Sequence, residues 1–239
     1  MQITLSYRKG FNMYRLMLGL VLTFAFGAGV LNAQNTMTAK KDVDPKAKQI
    51  LDKLKKQYDS YKSMEVKFEL TMELPGQPAE NQKGSVIQDG KKYQVKMNDQ
   101  EIYADGKTVW VYLKKNKEVQ INNADESAGS EFLSPKQMLR LYETENFVYA
   151  ITEERNENGK PVADIEFKPL DKKSEYSKMR LTVDKNANKM LSLRIFSKDG
   201  SRYTLKVNDI IPNKTYDPGI FAFNPKAFPG VHIEDLRID

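Results

Sequence analysis

Met64-Glu65-Val66-Lys67-Phe68-Glu69-Leu70-Thr71-Met72-Glu73-Leu74 alternates without a break, with a large apolar residue at every even position and a polar one at every odd position. Successive side chains of a strand point to opposite faces, so this run makes one greasy face and one charged face. It is also long, about twice the usual five or six residues. A strand so long and so one-sided needs neighbours that share its apolar side.

Those neighbours follow in order. Pro75-Gly76-Gln77-Pro78 ends the first strand in a turn. Gln82 to Gln88 runs into Asp89-Gly90, a favoured hairpin dipeptide, and Tyr93, Val95 and Met97 alternate after it. Glu101 to Ala104 reaches a second turn at Asp105-Gly106. Val109-Trp110-Val111-Tyr112-Leu113 is apolar on both faces, which predicts a central strand covered on both sides. The lysine-rich tip Lys114-Lys115-Asn116-Lys117, read as a solvated loop, returns to Val119 and Ile121. Later come Phe147, Tyr149, Ile151, a turn at Asn158-Gly159, and Ala163, Ile165, Phe167. Met179, Leu181, Val183 and Leu191, Leu193, Ile195 follow, and Asp199-Gly200 turns into Tyr203, Leu205, Val207. The close, Ile220 to Val231, is proline-bounded and not cleanly periodic.

Strands joined by turns this short pair antiparallel. A meander of about eleven of them curls until its edges are sheltered. Two helical stretches interrupt it. Asp44 caps and Pro45 opens a helix whose Ala47, Ile50, Leu51, Leu54 and Tyr58 make one apolar stripe. Ser134-Pro135 starts a shorter one carrying Met138, Leu139, Leu141 and Tyr142. The expectation is a mainly β domain: one large curved antiparallel sheet with the helices against its apolar side.

Residues 1–33 stand apart. Arg8, Lys9 and Arg15 precede the apolar run Leu16 to Leu31, and a small residue, Ala33, follows, which is the secretory signal pattern. Met13 is a second possible start. One domain is expected over 34–239, with 34–43 flexible. Removing the signal takes three basic and no acidic residues, so the formal charge of +6 drops by three. That is far from a nucleic-acid-binding footprint, and no nucleic acid is expected as a partner. The chain has no cysteine, so neither a disulfide nor a lipid anchored through cysteine is expected.

Catalytic and metal-binding constellations are poor. His232 is the sole histidine and is read as a surface or structural residue. Asp99 and Glu101 share a strand face, as solvated acidic pairs commonly do. Gly84, Gly90, Gly106 and Gly200 are read as scattered turn glycines, not a phosphate loop. An enzyme is not favoured, and no cofactor is expected. What stands out is apolar sheet in excess of what two helices cover, with adaptable methionines (Met64, Met72, Met97, Met138, Met179) on it.

Tyr61-Lys62-Ser63-Met64-Glu65-Val66-Lys67-Phe68, Gly84-Ser85-Val86 and Ala104-Asp105-Gly106-Lys107-Thr108-Val109-Trp110-Val111-Tyr112, with Ser134-Pro135 and Phe221-Ala222-Phe223-Asn224-Pro225…Pro229-Gly230-Val231, resemble the periplasmic outer-membrane lipoprotein carrier family, LolA. The resemblance implies an unclosed antiparallel β-barrel with a helical lid over its concave apolar face. It implies a soluble periplasmic carrier of lipoprotein acyl chains between inner and outer membranes. Its partners would be an inner-membrane lipoprotein-releasing complex, an outer-membrane acceptor and, transiently, the membrane, with the protein a monomer. The acyl-chain wall is assigned to Met64, Val66, Phe68, Leu70, Met72, Tyr93, Val95, Met97, Ile165, Phe167, Leu181, Val183, Leu193 and Ile195, and the lid to Met138, Leu139, Leu141 and Tyr142. One departure is Gln88-Asp89-Gly90-Lys91-Lys92, where proteobacterial members carry an arginine that latches the lid. Two rivals are a periplasmic lipoprotein-binding sensor and a lipocalin-like carrier of small hydrophobic molecules. The latter lacks its glycine–any–tryptophan signature, since Trp110 is the sole tryptophan.

Overall fold

The computed structural model describes residues 43–124, 141–143 and 146–237. Residues 1–33 and the start of the Ser134-Pro135 stretch, with Met138 and Leu139, lie outside them. A helix, α1 (Pro45–Asp59), opens the described chain. Asp44 is its N-cap: Oδ1 accepts from Lys46 N at 2.8 Å, and Pro45 takes the position whose missing N–H costs nothing.

β1 (Ser63–Glu73) follows, then β2 (Glu80–Asp89), β3 (Lys92–Lys96), β4 (Gln100–Ala104), β5 (Thr108–Leu113) and β6 (Glu118–Asn123). A second ladder holds β7 (Phe147–Glu157), β8 (Lys160–Pro169), β9 (Tyr176–Asp184), β10 (Lys189–Ser197) and β11 (Arg202–Pro212), and β12 (His232–Asp235) closes the described chain. All twelve form one sheet in the order β12-β6-β5-β4-β3-β2-β1-β11-β10-β9-β8-β7. Each ladder is a meander, and β1 joins the two by pairing antiparallel with β11. β7 and β12 remain as edges, so the barrel is unclosed.

Turn chemistry explains the registers. Asn158 and Gly159 both take positive φ, 53° and 78°, in the two-residue β7–β8 loop, as a type I′ turn requires. At the β2–β3 turn the pairing of Asp89 with Lys92 makes Gly90-Lys91 the loop, with only Gly90 at positive φ, the pattern of a type II′ turn.

Three sequence readings need correction. Gly84 is not a turn glycine: it lies inside β2 opposite Phe68. Leu191 does not continue the inward row of β10. The register shifts between Met190 and Ser192, and Met190 takes the core position. β12 is a strand that periodicity did not show, and it pairs parallel with β6.

Candidate functional site

Cross-strand registers assemble the inner face, the one against which α1 packs. Leu70, Leu205, Leu193, Leu181 and Ile165 sit in one row from β1 through β11, β10 and β9 to β8. The next row is Met72, Tyr203, Ile195, Met179 and Phe167. In the other direction Val66, Val86, Val95, Ile102 and Val111 run from β1 to β5. All fourteen residues assigned to the wall from sequence therefore lie on one face: Met64, Phe68, Tyr93, Met97 and Val183 fill the places between these rows.

Two apolar clusters divide this face. The first joins Ala47, Leu51, Leu54 and Tyr58 of α1 to Met64, Val66, Ile165, Phe167, Met179, Leu181, Val183, Met190 and Leu193. Tyr58 Oη accepts from Met190 N at 3.2 Å, and burial pushes that hydroxyl's pKa up to about 12. The second joins Phe68, Val86, Val95, Met97, Ile102, Ala104 and Val109, with Leu70, Tyr93, Val111 and Leu205 half-buried beside it. No α1 residue belongs to the second cluster. The helix thus covers one half of the wall and leaves the other to something else.

Glutamines frame the second half. Among the described residues, Gln82 and Gln100, each 4% exposed, have a buried amide atom without a hydrogen bond (Oε1 and Nε2), and so does Gln88 (Oε1). Such groups are costly unless a partner arrives.

Of the lid assignments, Tyr142 is described with its side chain. It sits in a 3₁₀ turn, Leu141–Glu143, packs edge-on against Tyr149 at 6.0 Å and donates from Oη to Asp52 Oδ1 at 2.9 Å. Lys55 Nζ reaches both Asp59, at 3.0 Å, and Glu143, at 3.3 Å. The Asp52 carboxyl is held below its ordinary pKa by Lys48, bonded at 2.8 Å, and by Tyr142, against a smaller opposing effect of burial. This polar contact ties the turn to α1 without the arginine absent from Gln88–Lys92.

The outer face also carries apolar cover, which sequence reading foresaw only as the two-sided character of β5. Phe223 and Phe228 stack at 5.0 Å and pack on Tyr103 and Tyr112, with Val119 and Trp110 beside them. Under the same segment a groove of about 510 Å³ is lined by Glu65, Gln94, Lys96, Lys214, Tyr216 and others. Its lining mixes three charged side chains with apolar ones such as Ile87, Ile220 and Phe228, unlike the aliphatic inner wall. Glu101 accepts from Tyr103 Oη and pairs with Lys114 at 3.0 Å, so it is a structural carboxylate. His232 is exposed on β12. Among the described residues no group of acidic or histidine side chains could hold a metal, and no helix is long and apolar enough to cross a membrane.

An uncharacterized conserved protein from Thermus thermophilus shares the fold, with a TM-score of 0.53 at 11% identity over 80% of this chain and 99% of its own. LprF from Mycobacterium bovis aligns with a TM-score of 0.45 at 14% identity, over 74% of this chain and 99% of its own. A LolA superfamily protein from Nitrosomonas europaea gives 0.38 at 13% identity, over 74% and 97%. No curated protein matches the chain. The family model described as outer membrane lipoprotein carrier protein LolA matches residues 59–224, from the end of α1 to Asn224 of the outer-face cover. The chain belongs to the outer membrane lipoprotein carrier protein LolA family.

Proposed function

We propose that this protein is a non-enzymatic periplasmic carrier that shields lipoprotein acyl chains on its inner face and moves them from the inner to the outer membrane. The observation that carries the reading is one continuous apolar face, of which α1 takes only one cluster. Burying a methylene is worth roughly 0.8 kcal/mol, so a long acyl chain left in water costs on the order of 10 kcal/mol. A carrier has to supply most of that burial without exceeding it by much, or cargo would not leave. Half-buried Leu70, Tyr93, Val111 and Leu205 at the margin of the second cluster are suited to such a balance. Export through a signal in residues 1–33, loading at an inner-membrane lipoprotein-releasing complex, delivery to an outer-membrane acceptor, transient membrane contact and action as a monomer complete the reading.

Depletion of the protein followed by membrane fractionation tests it. Lipoproteins stranded in the inner membrane are the expected result. Normal sorting under full depletion would overturn the carrier role.

A further inference from the structure

The last described strand is unlike the rest of the sheet. β12 pairs parallel with β6, whereas the other eleven strands pair antiparallel, and all four β12 residues are exposed. The exposed large hydrophobic side chains among the described residues, Ile233 at 45% and Leu236 at 39%, both lie here. β12 therefore brings no side chain into a core. Main-chain bonds hold it, among them His232 N–H to the Lys117 carbonyl at 2.8 Å and Leu236 N–H to the Ile121 carbonyl at 2.9 Å. The net worth of such bonds in water is comparable to the entropy lost in ordering the residues that make them. A strand without buried side chains is accordingly among the first parts of a fold to open.

The chain just before β12 is held far better. Phe223 and Phe228 stack on each other and pack at a tilt against Tyr112, and Val231 packs into the same cluster. Between the two phenylalanines and the strand lies Gly230, at φ +77°, a conformation open to glycine at little cost. β12 can leave the edge while its anchor stays in place.

We propose that the outer edge of β6 is a strand-addition site for an extended segment of a partner protein, and that β12 occupies it in the partner's absence. Release of β12 uncovers a row of main-chain donors and acceptors along Glu118–Asn123, a ready template for an added strand. The surroundings specify the partner's chemistry. Ile233 pairs with Val119, which is fully buried, so the incoming segment carries an apolar or β-branched residue there. Lys115 and Lys117, at the hairpin tip just before β6, are exposed, and unlike Lys114 neither forms an ion pair among the described residues. The chain's own flank at that place, Pro229-Gly230-Val231, is uncharged. An acidic flank ahead of the paired residues answers both lysines where the chain's own segment does not. That difference lets the partner displace β12.

A labelled peptide of two aspartates followed by the sequence of residues 231–237 is the probe, titrated into the full chain. Glu234→Pro, at an exposed position, weakens β12 pairing without touching a core. The variant is expected to bind the peptide about tenfold or more tightly, because apparent affinity scales with the fraction of molecules whose edge is open. Adding Lys115→Glu and Lys117→Glu is expected to remove that gain. Equal binding by the parent and Glu234→Pro, or equal binding of a peptide with proline at its central position, would overturn the proposal. Should the variant melt at a lower temperature than the parent, the parent alone still decides. Saturating peptide must speed amide exchange in His232–Asp235, and unchanged exchange in the presence of bound peptide overturns strand addition.

Discussion

Gly84 and Phe68 show how closely the inner wall is packed. A Cβ at Gly84 would stand 2.5 Å from the Cζ and 2.7 Å from the Cε2 of the Phe68 ring, and 2.9 Å from the Lys96 carbonyl oxygen. Real atoms do not approach so near, and one of the obstacles is backbone. The missing side chain is therefore what allows the ring to lie across β2 and fill the second cluster. Gly84→Ala is expected to cost roughly 1–3 kcal/mol in urea unfolding, as overpacking does. Phe68→Leu in the same chain is expected to recover part of that loss, since the shorter side chain vacates the contested space. Simple addition of the two single losses would show that the ring does not need the glycine. The margin of this wall is the better place for functional probes. Val95 is almost wholly buried, so a charge there tests folding, while half-buried Leu70 and Leu205 report on what the wall holds.

At the scale of elements, the contact between α1 and the Leu141–Glu143 turn has a built-in acid sensitivity. Asp52 bonds both Lys48 and Tyr142, and its carboxyl lies below the ordinary aspartate value. A carboxylate whose native pKa is depressed stabilises the fold above its unfolded pKa and loses that contribution as pH falls through the native value. The stability gap between the parent and Asp52→Asn is thus expected to be full above about pH 4 and to close below it. Thermal melts across that range check the sign, and a gap that ignores pH would contradict it. The elements also show what sequence could reveal. α1 and the eleven antiparallel strands were legible because a capped stripe and a period of two each follow from one face being buried. β12 was not, since four exposed residues carry no alternation and their partner β6 lies over a hundred residues earlier in the chain. The bulge at Leu191 was silent as well, because either Met190 or Leu191 satisfies an apolar pattern. Gly84 looked like the turn glycines around it, for a strand interior that needs a bare backbone leaves no signal in its own flanks.

The whole molecule presents two unlike faces of one sheet. Aliphatic rows and α1 occupy the inner face; aromatic cover from Phe223 and Phe228, ion pairs and a groove of mixed charged and apolar lining occupy the outer one. The shared face of the fourteen residues could be read from sequence because alternation fixes the face of each strand residue once one is known. The division of that face into a half packed by α1 and a half buried without it could not, since it depends on where a single helix lies across the sheet. Ion pairs on the outer side, such as Glu166 with Lys178 at 2.8 Å and Arg155 with Asp164 at 3.0 Å, keep that side wet and the apolar surface inward. The carrier reading assigns acyl chains to the inner face alone. Site-specific photo-crosslinking with a diacylated lipopeptide tests this most directly, with the reactive group placed at Leu70 or Leu205 on the inner face and at Phe196 on the outer. The account expects adducts on the acyl chains from Leu70 and Leu205 and none from Phe196; equal labelling from both faces, or none from either inner position in a folded protein, would contradict it.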